Sequence, residues 1–310
     1  MVLIRRKKMK LRKMRGNIML LIAAVIWGSA FVAQSEGMNY IGPFTYVFSR
    51  SIIGAAVLVI IIYAIRTVKK KNNEYHPADL KMSAWGGMCC GAVLFAAASF
   101  QQFGISNTTA GKAGFITTLY VIIVPVLGFF MKKKTPSRVW ICAAVAVAGF
   151  YLLCIRNDFS IGSGDLLVLI SAVFFSLHII VIDYFNKRNT DPMIMSCFQF
   201  LTAGIIGFPV MIILEEPDIR DIMNAALPIL YAGVLSSGIA FTLQIIAQKD
   251  TDPTVATMIM SLESVFAVLS GWLILGETLS IRELSGCILV FAAVIAAQLP
   301  AKSEMRKQYS

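Results

Sequence analysis

The sequence predicts an all-α membrane protein of ten transmembrane helices, arranged as two inverted five-helix repeats. Three observations predict it. Apolar runs long enough to cross a bilayer recur along almost the whole chain. Lysine and arginine collect in alternate loops. Stretches of the first half reappear, in order, in the second.

The 310 residues are 57% apolar, with a mean hydropathy of +0.75. Charged residues make up 15%, against about 25% in a soluble protein. The formal charge of +11 would suit a nucleic-acid partner if the basic residues formed a surface. They lie instead in short loops and tails between apolar runs, where they set orientation; no nucleic-acid partner is expected. Cys89, Cys90, Cys142, Cys154, Cys197 and Cys287 all fall in or beside apolar runs with no CxxC spacing. They read as small embedded hydrophobes rather than metal ligands or a disulfide framework.

The chain opens with a basic tail, residues 1–15, followed by "GNIMLLIAAVIWGSAF". This apolar run is longer than a signal-peptide core and many more follow, so it is a retained first helix. Ten spans are expected at 17–34, 43–65, 82–104, 108–130 and 137–155, then 165–185, 192–214, 225–247, 254–275 and 281–299. A bilayer admits only helices or closed barrels. These runs are too long and too continuously apolar for barrel strands.

With the N-terminus inside, the inner loops and tails hold 23 of the 28 Lys and Arg residues and the outer loops hold three. Arg50 and Lys112 fall within spans. This asymmetry places both termini in the cytoplasm of a multi-pass cell-membrane protein.

"GNIMLLIAAV" from Gly16 is matched by "GDLLVLISAV" from Gly164. "PFTYVFSRSIIG" from Pro43 is matched by "PMIMSCFQFLTA" from Pro192, which aligns Arg50 with Gln199. "PSRVW" around Arg138 is matched by "SIREL" around Arg282. The repeats therefore run over 16–155 and 164–299, with a cytoplasmic tail at 300–310. Five helices is an odd number, so the second copy is inverted. Inverted repeats characterise secondary transporters, with substrate held near the midplane between the halves.

The chain resembles the drug/metabolite transporter superfamily, in its EamA branch. The stretches that carry the resemblance are "IAAVIWGSAFVAQ", "IGPFTYVFSR", "TTAGKAGFITTLYVIIVP" and "MSLESVFAVLSGWLILGETLSIRELSGCILVFAAVIAA". The resemblance implies a ten-helix permease that moves small metabolites, often outward. The family pattern usually has Glu-Pro on the ninth helix. Here the pair is Glu263-Ser264, which removes the proline that would kink the helix.

Glu263 lies about 13 Å into its span at 1.5 Å per residue. A carboxylate there costs about 2.5–3.5 kcal/mol on insertion scales. Ala256, Ala267 and Ser270 share its side of a continuous helix, and small residues favour helix packing. Two roles fit: a proton-linked or substrate-binding carboxylate, or a structural partner for a hydroxyl, a backbone group or a basic residue. Arg50 suits a substrate carboxylate through its planar fork, or an internal pair. Gln199 offers uncharged hydrogen bonds at the equivalent position. Trp27, Phe31 and Gln34 share one face of the first helix, and Tyr120 with Thr117 offers a mixed surface on the fourth. Both patterns suit either a substrate pocket or plain packing. His178 suits a proton shuttle or a bond within the bundle. Lys112 suits a substrate-binding or coupling role, or snorkelling to the interface. Gln101, Gln102 and Gln244 are further polar candidates near helix ends.

No GxSxG elbow, HExxH, P-loop or paired carboxylates within a span occur, so no enzyme, cofactor or ATP-driven pump is expected. The expected function is a secondary carrier of small organic metabolites, with amino acids or related compounds implied by the resemblance. The expected partners are a small-molecule substrate, protons and the lipid bilayer. A sensor or scaffold that binds a small ligand without moving it is the alternative.

Overall fold

The computed structural model describes residues 2–71, 79–108, 110–132, 136–154, 162–275 and 280–298. Every regular element among them is helical. The first half holds α1 (Val2–Gly37), α2 (Pro43–Lys71), α3 (Leu80–Ile105), α4 (Ala110–Thr117), α5 (Tyr120–Phe130) and α6 (Ser137–Cys154). The second holds α7 (Ser163–Asn186), α8 (Pro192–Leu214), α9 (Ile219–Asn224) and α10 (Ala226–Leu230). A π-helical stretch (Tyr231–Ala240) follows, then α11 (Phe241–Ala247), α12 (Pro253–Met260), α13 (Glu263–Leu275) and α14 (Ile281–Gln298). The tail at 300–310 lies outside the described residues.

Among the described residues, eight helical stretches are long and apolar enough to cross a membrane. Two more, Ser137–Gly149 and Leu284–Ala297, are apolar and shorter. Val59, Ile60, Ile205, Ile213, Leu273 and Ile288 point outward and are exposed. A soluble protein rarely leaves so much aliphatic surface uncovered; a bilayer covers it at no cost.

Helix starts follow local chemistry. Asp79 caps α3 by accepting from the Met82 N–H at 2.9 Å. Asp191 caps α8 and Asp252 caps α12, each with proline as the first helical residue. The α2 N-terminus is capped from a distance. Glu215 accepts from the Phe44 N–H at 2.8 Å and from the Thr45 N–H at 2.7 Å, satisfying donors that a helix start leaves open.

Three expectations need correction. The first helix begins near Val2 rather than at residue 17, because Lys, Arg, Met and Leu are good helix formers and the single glycine between tail and span, Gly16, costs only about 1 kcal/mol. At 36 residues it is about 54 Å long, longer than the roughly 30 Å hydrocarbon core.

The fourth and ninth spans are interrupted, not continuous. α4 gives way to α5 at Thr118-Leu119, and α12 to α13 at Ser261-Leu262. At each break the backbone changes to tighter bonds: Leu119 N–H to the Ile116 carbonyl, and Leu262 N–H to that of Ile259. In each a hydroxyl bonds back onto the preceding turn, Thr118 to Phe115 at 2.7 Å and Ser261 to Met258 at 2.8 Å. Ser264 also donates to the Ser261 carbonyl at 2.8 Å. Hydroxyls that compete for backbone groups bend helices, so the ninth span breaks without proline. The eighth span contains the π-helical stretch.

α3 packs along α7 and α8, α2 along α8, α6 along α14, and α1 along α13. The π-helical stretch lies against α1 and α2, and α4 and α5 lie against α7. This brings both interrupted spans to the middle of the bundle.

Candidate functional site

A single pocket at the centre of the bundle gathers most of the polar residues singled out above. It contains about 710 Å³ of atom-free space, counting its mouth. Trp27, Gln34, Arg50, Tyr120, His178 and Glu263 all line it, and they come from five different spans.

The interruptions place its acidic end. Tyr120 opens α5 and Glu263 opens α13, so each projects from the first residue of a half-helix. The Tyr120 hydroxyl donates to Glu263 Oε1 at 2.9 Å, and both side chains are buried. α1 reaches this point through Gly28. A Cβ there would stand 2.5 Å from the Phe266 Cβ and 2.7 Å from the Glu263 carbonyl oxygen. Only a residue without a side chain lets α1 lie against the break.

The basic end is Arg50 on α2, also buried. Its Nε donates to the Ser237 hydroxyl at 3.2 Å and one terminal nitrogen to that of Ser236 at 3.1 Å. The π-helical stretch supplies both serines from adjacent positions; such stretches are rare and favour functional sites. Neither Arg50 nor Glu263 is in a salt bridge among the described residues. A buried charge held only by neutral groups is costly. The pocket therefore keeps one cationic and one acidic group available for something that enters it.

His178 Nε2 and Gln199 Oε1 lie 2.9 Å apart. Gln199 does not line the pocket; it stands behind the histidine and orients the ring. Around them sits an aromatic wall. Trp27 and Phe200 each meet Phe241 edge-on, at centroid distances of 4.8 and 5.5 Å. Gln34 donates to the Ala30 carbonyl at 3.3 Å, and its backbone carbonyl accepts from Gln102 at 3.3 Å. Trp27 Nε1, Gln34 Oε1 and His178 Nδ1 are buried without a partner among the described residues, which leaves donor and acceptor capacity on three residues that line the pocket. Lys112 lies on α4, but its side chain is outside the described residues.

Several groups at the site were not singled out from the sequence. Ser236, which lines the pocket, and Ser237, which accepts from Arg50 beside it, belong to "YAGVLSSGIAF", and a serine pair inside an apolar span was the available signal. The bond from Gln101 to the Thr117 hydroxyl, at 3.1 Å, joins two residues that were noted separately. Phe175, Phe200 and Phe241 carry no signal, since aromatic residues are common on every span.

The model of the EamA-like transporter family matches residues 14–155 and again 162–297. An uncharacterized transporter of Archaeoglobus fulgidus is 27% identical over 93% of this chain and 87% of its own length. A chloroplastic WAT1-related protein of Arabidopsis thaliana is 25% identical over 88% of this chain and 67% of its own. The uncharacterized transporter YoaV of Bacillus subtilis is 24% identical over 90% of this chain and 95% of its own. One crystal structure superposes with a TM-score of 0.74 over 95% of this chain and 99% of its own, at 18% identity, a likeness of fold. Two family-model matches spanning nearly the whole chain, on an all-helical fold with membrane-length spans, show that the chain belongs to the EamA-like transporter family and is a multi-pass membrane transporter, not an enzyme.

Proposed function

We propose that the protein is a secondary carrier of small organic metabolites, amino acids or related compounds, working from the cell membrane with both termini in the cytoplasm. Ten membrane helices would form two inverted five-helix repeats, at 16–155 and 164–299, closed around the central pocket. The two family-model matches support the duplication. So do the paired interruptions: Tyr120 and Glu263 are 143 residues apart and each begins the second part of a broken span. The 23-to-3 asymmetry of basic residues supports the orientation.

The observation that carries the reading is a buried basic group, Arg50, and a buried acidic group, Glu263, in one pocket, each bonded to neutral partners. Arg50 would anchor a substrate carboxylate through its fork. Glu263, gripped by Tyr120, would take up and release the coupling proton. His178, backed by Gln199, and Gln34 would orient the substrate, and Trp27 would cover its apolar part.

A panel of labelled amino acids and related metabolites, presented to purified protein in proteoliposomes, tests this. A bound compound should also cross the bilayer, faster under an imposed pH gradient. Saturable binding with no flux under any gradient would make the protein a sensor instead.

A further inference from the structure

Building on the carrier reading, we propose that Gln244, Gln248 and Thr251 line a hydrated limb of the transport route. It leads from the central pocket to the end of the bundle that carries the 248–252 loop, where α1 closes it at Gly16.

Gln244, on α11, lines the pocket and is buried, with no partner for its Oε1 among the described residues. One turn on, Gln248 is 3% exposed, yet neither end of its amide has a partner among them. Thr251 follows at 7% exposure, its hydroxyl also without one among them. The chain leaves α11 in tight turns, with Gln248 N–H bonded to the Gln244 carbonyl and Asp250 N–H to that of Ala247. Helical spacing therefore continues past the helix end and keeps Gln244 and Gln248 on one face, with Thr251 below.

The contrast with nearby hydroxyls is the point. Thr242, Thr257, Ser261 and Ser264 each bond to a backbone carbonyl of the preceding turn. Folded proteins leave few buried polar groups unpaired, and a row of them beginning at a pocket needs mobile partners. Water bridges such groups when two or more converge. Lipid has nothing to offer them.

The limb is narrow at its far end. A Cβ added at Gly16 would stand 2.8 Å from the Thr251 hydroxyl oxygen and 3.4 Å from the Ala247 carbonyl oxygen. α1 therefore seals this end by backbone contact. A small rigid-body shift of α1 would open it.

Thiol labelling of the full chain in proteoliposomes tests the limb without any substrate. The variants are Gln248→Cys, Thr251→Cys and, as a control, Ile245→Cys, whose fully buried side chain packs in an apolar cluster of α3, α7 and α8 residues. A small, water-soluble, membrane-impermeant thiol reagent is applied, and peptide mass spectrometry locates the adduct. Modification at the Gln248 and Thr251 positions should be at least about tenfold faster than at Ile245, whose rate should match the buried native cysteines. Labelling at Gln248 no faster than at Ile245, in folded protein, would overturn the proposal. Equal, fast labelling at all three would also overturn it, as local unravelling. If one variant fails to fold, the other alone decides against the same control. Fast labelling in a protein that moves no solute would refute the carrier reading and leave the limb standing.

Discussion

Removing the Tyr120 hydroxyl takes away the one hydrogen bond that the Glu263 carboxyl receives among the described residues, at 2.9 Å. Leaving a buried hydrogen-bonding group without its partner costs about 1–3 kcal/mol. Tyr120→Phe leaves the carboxyl orphaned, and Glu263→Met leaves the phenol orphaned. The double variant replaces both with apolar groups of similar shape, which is close to neutral. A double-mutant cycle should therefore show a coupling of about 1–3 kcal/mol, the pair losing less than the sum of its singles. Stability of soluble domains of 150–250 residues shifts by roughly 2–4 °C per kcal/mol. On that scale a loss of about 1–3 kcal/mol in Tyr120→Phe should lower its melting temperature by roughly 2–12 °C. The assay is thermal unfolding in detergent followed by a thiol-reactive dye, because Cys90, Cys142, Cys197 and Cys287 are buried in the fold and react on unfolding. All four proteins are heated at one scan rate, since the transition is a kinetic one. Strict additivity, or a Tyr120→Phe melt equal to the parent's, would refute the contribution assigned to this bond.

Three further outcomes are expected. Arg50→Lys should fold and lose about tenfold or more in substrate affinity, because one ammonium cannot replace a fork that holds Ser236 and Ser237 and an anion together; unchanged affinity with a lower melting temperature would assign Arg50 to structure alone. Burial lowers the pKa of Lys249 below the usual lysine range, opposed by Asp191 and Asp250, so the native state binds fewer protons there than the unfolded chain. Stability should therefore rise as pH climbs through that lowered pKa to the usual lysine value, a slope absent in Lys249→Met melting curves. Reporter fusions after Ser310 and within 66–81 should report the cytoplasm, and one within 215–221 the opposite side; an external C-terminus would overturn the ten-helix arrangement.

Much of this architecture was legible because lipid permits so little. A run such as 192–214 has one option in a bilayer, and the helix matches it. The gathering of Trp27, Gln34, Arg50, Tyr120, His178 and Glu263 in one pocket followed from a simple rule: polar groups within spans turn away from lipid. The breaks at Thr118 and Ser261 were not legible. The expectation looked for proline, whereas here hydroxyls bonding back to carbonyls loosen the helix. The serines that hold Arg50 were missed for a related reason. Ser236 and Ser237 sit on a π-helical stretch, which has no hydropathy signature, and spacing within one span does not show that both reach the Arg50 guanidinium. The partner of Glu263 was left open among a hydroxyl, a backbone group and a basic residue, because helical spacing orders residues within a span and not between two.

The most direct measurement of what Glu263 does is flux into proteoliposomes under an imposed pH gradient, comparing the parent with Glu263→Gln. The amide keeps the side chain's shape and an acceptor for the Tyr120 hydroxyl, and it cannot titrate. The predicted result is a parent whose flux accelerates with the gradient and a variant that folds and binds substrate but moves it at one rate whether the gradient is present or not. Full gradient-driven flux through the Gln variant would contradict the role of Glu263 as the coupling group.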